Sequence, residues 1–402
     1  MISHLYPDST PALNLNFKSS GVADPRISCT RSTTATYVDP VSGLIKTAAA
    51  NEARVGKDGL LVEEARTNIQ QNSAAPITSG GQALIWTTGV TAPDGTSTAV
   101  KIAATAVDTQ HNITATIFPS AMPLTKHCWS CFAKPDGVNR FTLRNPEMGF
   151  SSFHLTGDGT LLNSQTSGDS ITYVGDGWYR CTVAGTPGTV AYQYNITLNA
   201  DDETGFTAFL GDGSGGIIFW GWQMEEGDFS TSYIPTSSST VTRTVDLVKI
   251  SGTDFSNFFN NSQGTFVTRL PTKTPAEAFI ADIGNNLTSG SAASGYILKY
   301  VPSNNNASGD VRVNDGSVAF IEVSVTGSHI DLAFAYEQNN FNAAVNGTLG
   351  TTDTSGALPT LGAQQVVIGS RFNSQVPNNV PMSSLSYYPT RLINSQLQAL
   401  TT

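Results

Sequence analysis

Charge is scarce in this chain. Only 13 % of its 402 residues are Asp, Glu, Lys or Arg, too few to clothe the solvent faces of many helices. Basic residues are the scarcer kind. There are 21 Lys and Arg against 31 Asp and Glu, a net charge of −10, which argues against nucleic acid or an anionic membrane as the main partner. Cysteine is rare as well. Four residues, Cys29, Cys128, Cys131 and Cys181, are too few to staple a chain this long, so reduced, buried thiols are expected. No run reaches the roughly 18 apolar residues of a membrane span, and no membrane insertion is expected. The opening "MISHLYPDSTPALNLNFK" lacks a basic start followed by an apolar core. It does not read as a secretory signal, and synthesis in a cytosol is expected. Sequons such as Asn112 and Asn346 then need carry no glycan.

Helical periodicity is nearly missing too, and turn residues fill the space. "GDG" occurs at 157–159, 175–177 and 211–213, "PDG" at Pro93 and Pro135, "NDG" at Asn314 and "NG" at Asn346. Asp-Gly and Asn-Gly tolerate positive φ and favour tight hairpins. Between them lie short alternating runs: "HCWSCFA", "WYRCTVA", "YQYNITL", "SVAFIEVSV" and "HIDLAFAY". Period-2 alternation bounded by turn residues predicts half-buried antiparallel strands. One short C-terminal helix, "NSQLQALT", is expected, capped by Asn394. The fold class is all-β. Two polar seams, 67–81 and 235–254, divide it into an N-terminal extended segment (1–72), a middle sandwich (73–250) and a C-terminal sandwich (251–402), each sandwich of a size suited to a jelly roll or related fold.

The stretch "DPRISCTRSTTATYVDPVSGLIKTAAANEARV…GLLVEEARTN", Asp24 to Asn68, resembles the head-spike fibre segment of bacteriophages and phage-like particles. That segment reads as a "TRSSTATYVD" stretch, an A-N-x-x-R stretch and "LLIEEQRTN". The middle part, with "GDGWYRCTV" and "TSYIPT", looks like the carbohydrate-binding jelly roll that often follows it. The C-terminal part, "HIDLAFAYEQNNFNAAVNGTLG…LSYYPTRLINSQLQALT", is similar to a laminin-G/concanavalin-like sandwich. The resemblance implies a virion protein made in the host cytoplasm, a head spike or fibre that adsorbs host surface polysaccharide. Its other implied partners are capsid, spike base or tail proteins. By analogy it is a homotrimer, with the "LNLNF" and "TATYV" strands offering edges to a partner chain. A capsid decoration protein without a glycan role and a tail-fibre receptor-binding protein are the alternatives. A depolymerase is disfavoured, since the parallel β-helix repeats usual in tailspike enzymes are missing.

No catalytic residues are expected. Glu225 and Glu226 are neighbours on one strand and point to opposite sides, so they cannot form the convergent pair at roughly 5–10 Å that glycosidases use. Glu63 and Glu64 fail the same test, and an ion pair with Arg66 at the surface or between subunits is expected for them. The Cys128-x-x-Cys131 pair lacks the second ligand pair of a zinc site and sits on a strand, with its two thiols on opposite faces. Cys131 and Cys181 are expected to be core neighbours across a sheet. In "IIFWGWQM", strict alternation puts Phe219, Gly221 and Gln223 on one face and Trp220, Trp222 and Met224 on the other. Sugars are recognised by aromatic faces with amides and carboxylates beside them. The candidates on that ground are Trp86, Trp178, Tyr179 and Asp176 near turns of the middle domain, with Tyr300 and Tyr336 beside Asn-rich loops of the last. Asp201, Asp202 and Glu203 in "ADDETG" are the candidate calcium ligands, all oxygen donors. No other cofactor is expected.

Overall fold

The hairpin turns fall where the Asp-Gly and Asn-Gly pairs predict. Asp176 and Gly177 (φ 50° and 77°) reverse the chain between strands Ser170–Gly175 and Trp178–Gly185, and Asn346 and Gly347 (φ 46° and 77°) do so between Asn342–Val345 and Thr348–Leu349. Two consecutive residues at positive φ make the turn whose twist matches the flanking strands. The computed structural model describes residues 7, 10–116, 124–145, 148–166, 168–187, 193–200, 205–284, 294–314, 316–361, 365–372 and 376–402. These form antiparallel sheets and three short helices, none long and apolar enough to cross a membrane.

The chain forms two units: Met1–Ser42, Thr47–Ala65 and Thr244–Thr402 in the first, Gly43–Lys46 and Arg66–Arg243 in the second. This division departs from the boundaries read at 72 and 250. The N-terminal residues are built into the C-terminal sandwich. Strand Leu13–Asn16 pairs with Ser384–Tyr388, and Ser28–Thr30 with Leu247–Ser251. The cause is the alternation of "LNLNF", which sends Leu13, Leu15 and Phe17 into the core of that unit. One edge of this strand therefore pairs within its own chain.

In the first unit a six-stranded sheet runs Leu13–Asn16, Ser384–Tyr388, Gln263–Leu270, Ile330–Glu337, Asn342–Val345, Thr348–Leu349. A seven-stranded sheet runs Ser28–Thr30, Leu247–Ser251, Gln365–Ile368, Ala278–Gly284, Gly295–Val301, Asn306–Val313, Gly316–Ser324. Phe266, Phe334, Tyr336 and Tyr387 of the first sheet meet Ile280, Tyr296 and Leu298 of the second in one core. The C-terminal helix Asn394–Leu400 covers part of the six-stranded sheet's other face, burying Leu397 against Val267, Ala333 and Ala344. Its N-cap is Ile393, not Asn394. The Asn394 carboxamide is occupied instead in accepting a hydrogen bond from Arg391 Nη2 (2.9 Å).

A buried ion cluster ties this unit together. Arg31 Nη1 donates to Asp246 Oδ1 (2.8 Å), Arg54 Nη1 to Glu63 Oε2 (2.7 Å), and Arg54 Nη2 to Asp246 Oδ2. All four side chains are buried. Backbone groups complete the shell. Asp246 Oδ2 accepts from Glu63 N (2.8 Å), Arg31 Nη2 donates to Ala49 O (2.6 Å), and Arg54 Nη1 to Thr36 O (3.0 Å). Glu63 is thus a buried partner of Arg54, not a surface residue; the Arg66 guanidinium lies 4.9 Å from the Phe229 ring centroid. "TRST", "ANEAR" and "LLVEE", the blocks that carry the resemblance, supply Arg31, Arg54 and Glu63 to this cluster.

The second unit packs a five-stranded sheet on a six-stranded one. The five-stranded sheet runs His111–Thr116, Gln193–Asn199, Arg140–Asn145, Gly149–His154, Thr160–Ser164. The six-stranded sheet runs Ser170–Gly175, Trp178–Gly185, His127–Asp136, Gly216–Glu226, Ala99–Ala104, Leu84–Val90. Trp129, Cys131, Phe141, Phe153, Ile196, Phe219 and Trp222 fill the core between them. Phe219 and Trp222 share that face, which strict alternation forbids. The reason is a β-bulge: Ser130 pairs with Gln223 and Phe132 with Trp220, so Gly221 and Trp222 together stand opposite Cys131. Gly221 takes φ 65°, and a Cβ there would lie 2.7 Å from the Phe132 ring, so glycine is the residue this bulge requires.

Cys131 stands directly opposite Cys181 in the ladder, while Cys128 lies on the other face, its Sγ donating to Gly227 O (3.2 Å). All four thiols are free. Burial pushes Cys128, Cys131 and Cys181 far above the ordinary thiol range and Cys29, half-buried, up to about 11. A thiolate is the reactive form. A water-soluble disulfide reagent at pH 8 is therefore expected to label the native chain slowly and at Cys29 alone, and all four residues in guanidinium. Rapid native labelling of two or more thiols would contradict this burial.

Candidate functional site

The two outer faces of the second unit have different fates. The outer face of the six-stranded sheet is sealed by the chain that leaves it. Trp220 packs against Tyr233 (centroids 4.5 Å apart) and Phe132 (5.5 Å), and the Arg180 guanidinium covers Phe132 at 4.4 Å. Glu225 is buried here, accepting from Thr231 N (2.7 Å), Thr231 Oγ1 (2.6 Å) and Gln223 Nε2 (2.7 Å), while Glu226 is exposed. The carboxylates thus point apart, and one of them is consumed in fixing the exit segment.

The outer face of the five-stranded sheet is polar: Thr142, Ser152 and Thr197 at its centre are buried, while Asn112, Thr114, Asn163, Asn195, Arg144 and Phe150 around them are exposed or part-exposed. Cross-strand pairing aligns Asn112, Thr197, Thr142, Ser152 and Asn163 in one row across all five strands. A second row holds Thr114, Asn195, Arg144 and Phe150. None of these is a carboxylate, in a chain of net charge −10. Each follows from alternation: the residues between them, Ile113, Phe141, Leu143, Phe153 and Ile196, point into the core.

The polar groups form a bonded lattice that fixes their positions. Thr142 Oγ1 lies 2.8 Å from Ser152 Oγ and donates to Asn199 Oδ1 (2.9 Å). Thr197 Oγ1 donates to Asn195 Oδ1 (2.7 Å), and Asn195 Nδ2 to Thr114 Oγ1 (2.9 Å). Gly205 and Phe206 are pinned to this lattice. Gly205 N donates to Thr142 Oγ1 (3.2 Å), Asn199 Nδ2 donates to Gly205 O (2.9 Å), and Gln110 Nε2 to Phe206 O. The half-buried Phe206 ring meets Phe150 edge-on (centroids 5.7 Å), with the exposed Arg144 guanidinium 5.1 Å from its centroid. The result is a platform whose accessible groups are Asn112, Thr114, Asn163 and Asn195, held over a buried layer of Thr142, Ser152, Thr197 and Asn199, with two part-exposed aromatic rings and one cation beside them. Such a surface offers apolar faces to C–H groups and donors and acceptors to hydroxyls.

The residues singled out in the sequence fall elsewhere. Trp178 and Tyr179 are buried, with Tyr179 Oη donating to Gly157 O (3.0 Å). Tyr300 is buried with its hydroxyl donating to Asn305 Oδ1 (3.0 Å), and Tyr336 is buried with its hydroxyl donating to Asn260 O (2.6 Å). These four present no ring face to a ligand, because sheet strands pack aromatics inward even beside turns. Trp86 is half-buried against the core, its Nε1 donating to Gly80 O (2.8 Å). Asp176 is exposed at the hairpin tip, 3.6 Å from Lys134 Nζ. The structure does not bring these residues together. Asp201, Asp202 and Glu203 lie outside the described residues, and among the described residues no three His, Cys, Asp or Glu are grouped to hold a metal ion. The platform residues were legible in part: "RFTLRN" and "QYNITLN" alternate apolar with Thr, Arg and Asn. Phe206, which belongs to a loop, carries no such signal.

No protein-family model matches this sequence, and no curated protein matches it. Several solved structures are distantly similar. A carbohydrate-binding module, the CBM40 of the Ruminococcus gnavus IT-sialidase bound to α2,3-sialyllactose, is 19% identical over 36% of this chain and 84% of its own, with a TM-score of 0.31. A SAP-like pentraxin from Limulus polyphemus is 17% identical over 35% of this chain and 70% of its own (TM-score 0.26), and the binding domain of botulinum neurotoxin DC in complex with SialylT is 12% identical over 39% of each chain (TM-score 0.29). At this distance the similarities carry no weight for ligand or role. The β-sandwich architecture rests on the sheets themselves.

Proposed function

We propose that this chain is a non-enzymatic surface protein of a phage or phage-like particle, a head spike or fibre that adsorbs host polysaccharide through the polar platform of its second unit. The platform carries the reading: the part-exposed neutral side chains of Asn112, Thr114, Asn163 and Asn195, with Phe150, Phe206 and Arg144 at one side. The particle role rests on the resemblance of residues 24–68 to head-spike segments. Capsid, spike base or tail proteins are then its other partners, and assembly takes place in the host cytoplasm. A trimer displaying several platforms would turn weak single-site binding into firm adsorption.

The test combines retention and viscosity. The full chain, incubated with host capsular polysaccharide, is expected to be retained on the polymer without shortening it. Phe206→Ala, which removes one aromatic contact, is expected to weaken retention about tenfold, and Arg144→Ala to weaken it less. Falling viscosity would overturn the non-enzymatic reading. Neither retention nor cleavage would favour a capsid decoration role, and undiminished binding by both variants would move the site off the platform.

A further inference from the structure

The first unit has a polar cleft of its own. The six-stranded sheet's outer face is apolar where the C-terminal helix lies on it and polar beyond the helix end. There one cross-strand row reads Asn16, Ser384, Arg269, Asp331, and the neighbouring row begins Asn14, Ser386. With Lys18 and His329 at the rim these enclose an open cleft of about 490 Å³, within the range of small-ligand sites.

Its cations and its floor are separately arranged. Arg269 is held from two sides, its Nε 3.6 Å from Asp331 Oδ2 and its Nη2 donating to Leu400 O (2.9 Å) at the end of the C-terminal helix, and its side chain is 46% exposed. Asp331 is the cleft's carboxylate, largely buried. Burial pushes its carboxyl above the usual range, while Arg269 and His329 pull it back. Lys18 and His329 are exposed. Among the described residues the cleft therefore collects Lys18 and Arg269 against a single carboxylate, in a chain of net charge −10. The floor beside them is a strip of short neutral side chains, in which Ser386 Oγ donates to Asn14 Oδ1 (3.0 Å).

We infer that this cleft is a second binding site, and that it takes a carboxylate-bearing saccharide of the uronic acid class. The cations meet the carboxylate, with Nη1 of Arg269, whose Nε and Nη2 are held by Asp331 and Leu400, as the main donor. The Asn and Ser strip meets the ring hydroxyls. A bare anion would use the cations and leave the strip idle. A neutral sugar would leave Arg269 and Lys18 idle. The choice of a saccharide rests on the glycan-binding reading above, but the cleft shares no residue with the platform.

The experiment titrates the full chain with trigalacturonate and with the same trisaccharide fully methyl-esterified, which keeps the rings and removes the charge. The acid is expected to bind at least tenfold more tightly than the ester. Arg269→Gln is expected to abolish that preference. Lys18→Ala, at an exposed site that the core does not need, is expected to reduce it about threefold. Equal binding of acid and ester, no binding of the acid, or a preference unaltered in both variants would overturn the inference. So would displacement by inorganic phosphate at equal concentration, which would mark a bare-anion site. Failure of the platform reading shows separately, as undiminished polysaccharide retention in Phe206→Ala and Arg144→Ala.

Discussion

Asp246→Asn is expected to destabilise the first unit by about 3–5 kcal/mol, the cost of removing one partner from a buried ion pair. Asp246 bridges two guanidiniums, meeting Arg31 through one oxygen and Arg54 through the other. Without its charge, Glu63 alone faces two buried cations. The backbone N–H of Glu63 also loses an anionic acceptor. A domain is commonly stable by about 5–15 kcal/mol in all, so the thermal transition of this unit should fall by about 10 °C. Arg26→Ala breaks a pair with Asp24 that is part-exposed, and should cost about 1 kcal/mol or less. Replacing Arg31 by Met together with Asp246 by Leu removes a cation along with the anion and leaves Arg54 paired with Glu63. It should cost less than Asp246→Asn alone, since the penalty lies in the uncompensated charge and not in the lost contact. A shift below 1 kcal/mol for Asp246→Asn in denaturant unfolding would show the cluster to be dispensable.

That cluster also marks where sequence reasoning stops. Strands were legible wherever alternation was strict. "HCWSCFA" places Cys131 toward the core and opposite Cys181, as the period-2 pattern requires. The alternation broke at Gly221. A bulge shifts the register by one residue and moves Trp222 to the Phe219 face, and the glycine inside an apolar run was its only local trace. Long-range pairing left no trace at all. Arg31 and Asp246 are 215 residues apart, and nothing local distinguishes a Glu63 buried against Arg54 from one at the surface. The sites failed for a related reason. Trp178, Tyr179, Tyr300 and Tyr336 are aromatic and near turns, but whether a ring faces solvent depends on which layer covers it. On one outer face of the second unit the segment carrying Tyr233 is that layer. On the other, Gly205 bonds onto Thr142 and Ser152, whose hydroxyls are buried, and the outer residues of the rows stay part-exposed.

Asp282→Asn is expected to flatten the pH dependence of the first unit's stability and to stabilise it above neutrality. Asp282 lies on the central strand Ala278–Gly284, between Val367 and Ile297 of the neighbouring strands. Burial pushes its carboxyl up from 3.8 to about 7. A hydrogen bond from the Phe372 backbone and the charges of Arg371 and Arg312 offset only part of that. The folded state therefore keeps the proton that the unfolded chain releases. The protonated form's contribution is fully present below pH 3.8 and is lost as pH rises toward and through about 7. The span from 3.8 to about 7 corresponds to about 4 kcal/mol at most. Asparagine keeps the shape and has no charge to bury. The variant should match the wild type near pH 4 and exceed it at pH 8, by an amount of the same order. Other groups do not blur the comparison. Asp24, lowered chiefly by its hydrogen bond from Arg26, acts in the opposite sense and at lower pH. Asp331, raised by burial, is common to both proteins. Denaturant unfolding of both chains at pH 4, 6 and 8 decides it, with each transition assigned to its unit because two units need not unfold together. Parallel pH profiles would mean that Asp282 is ionised and solvated in the fold, and that the Phe372 segment does not seal it from water.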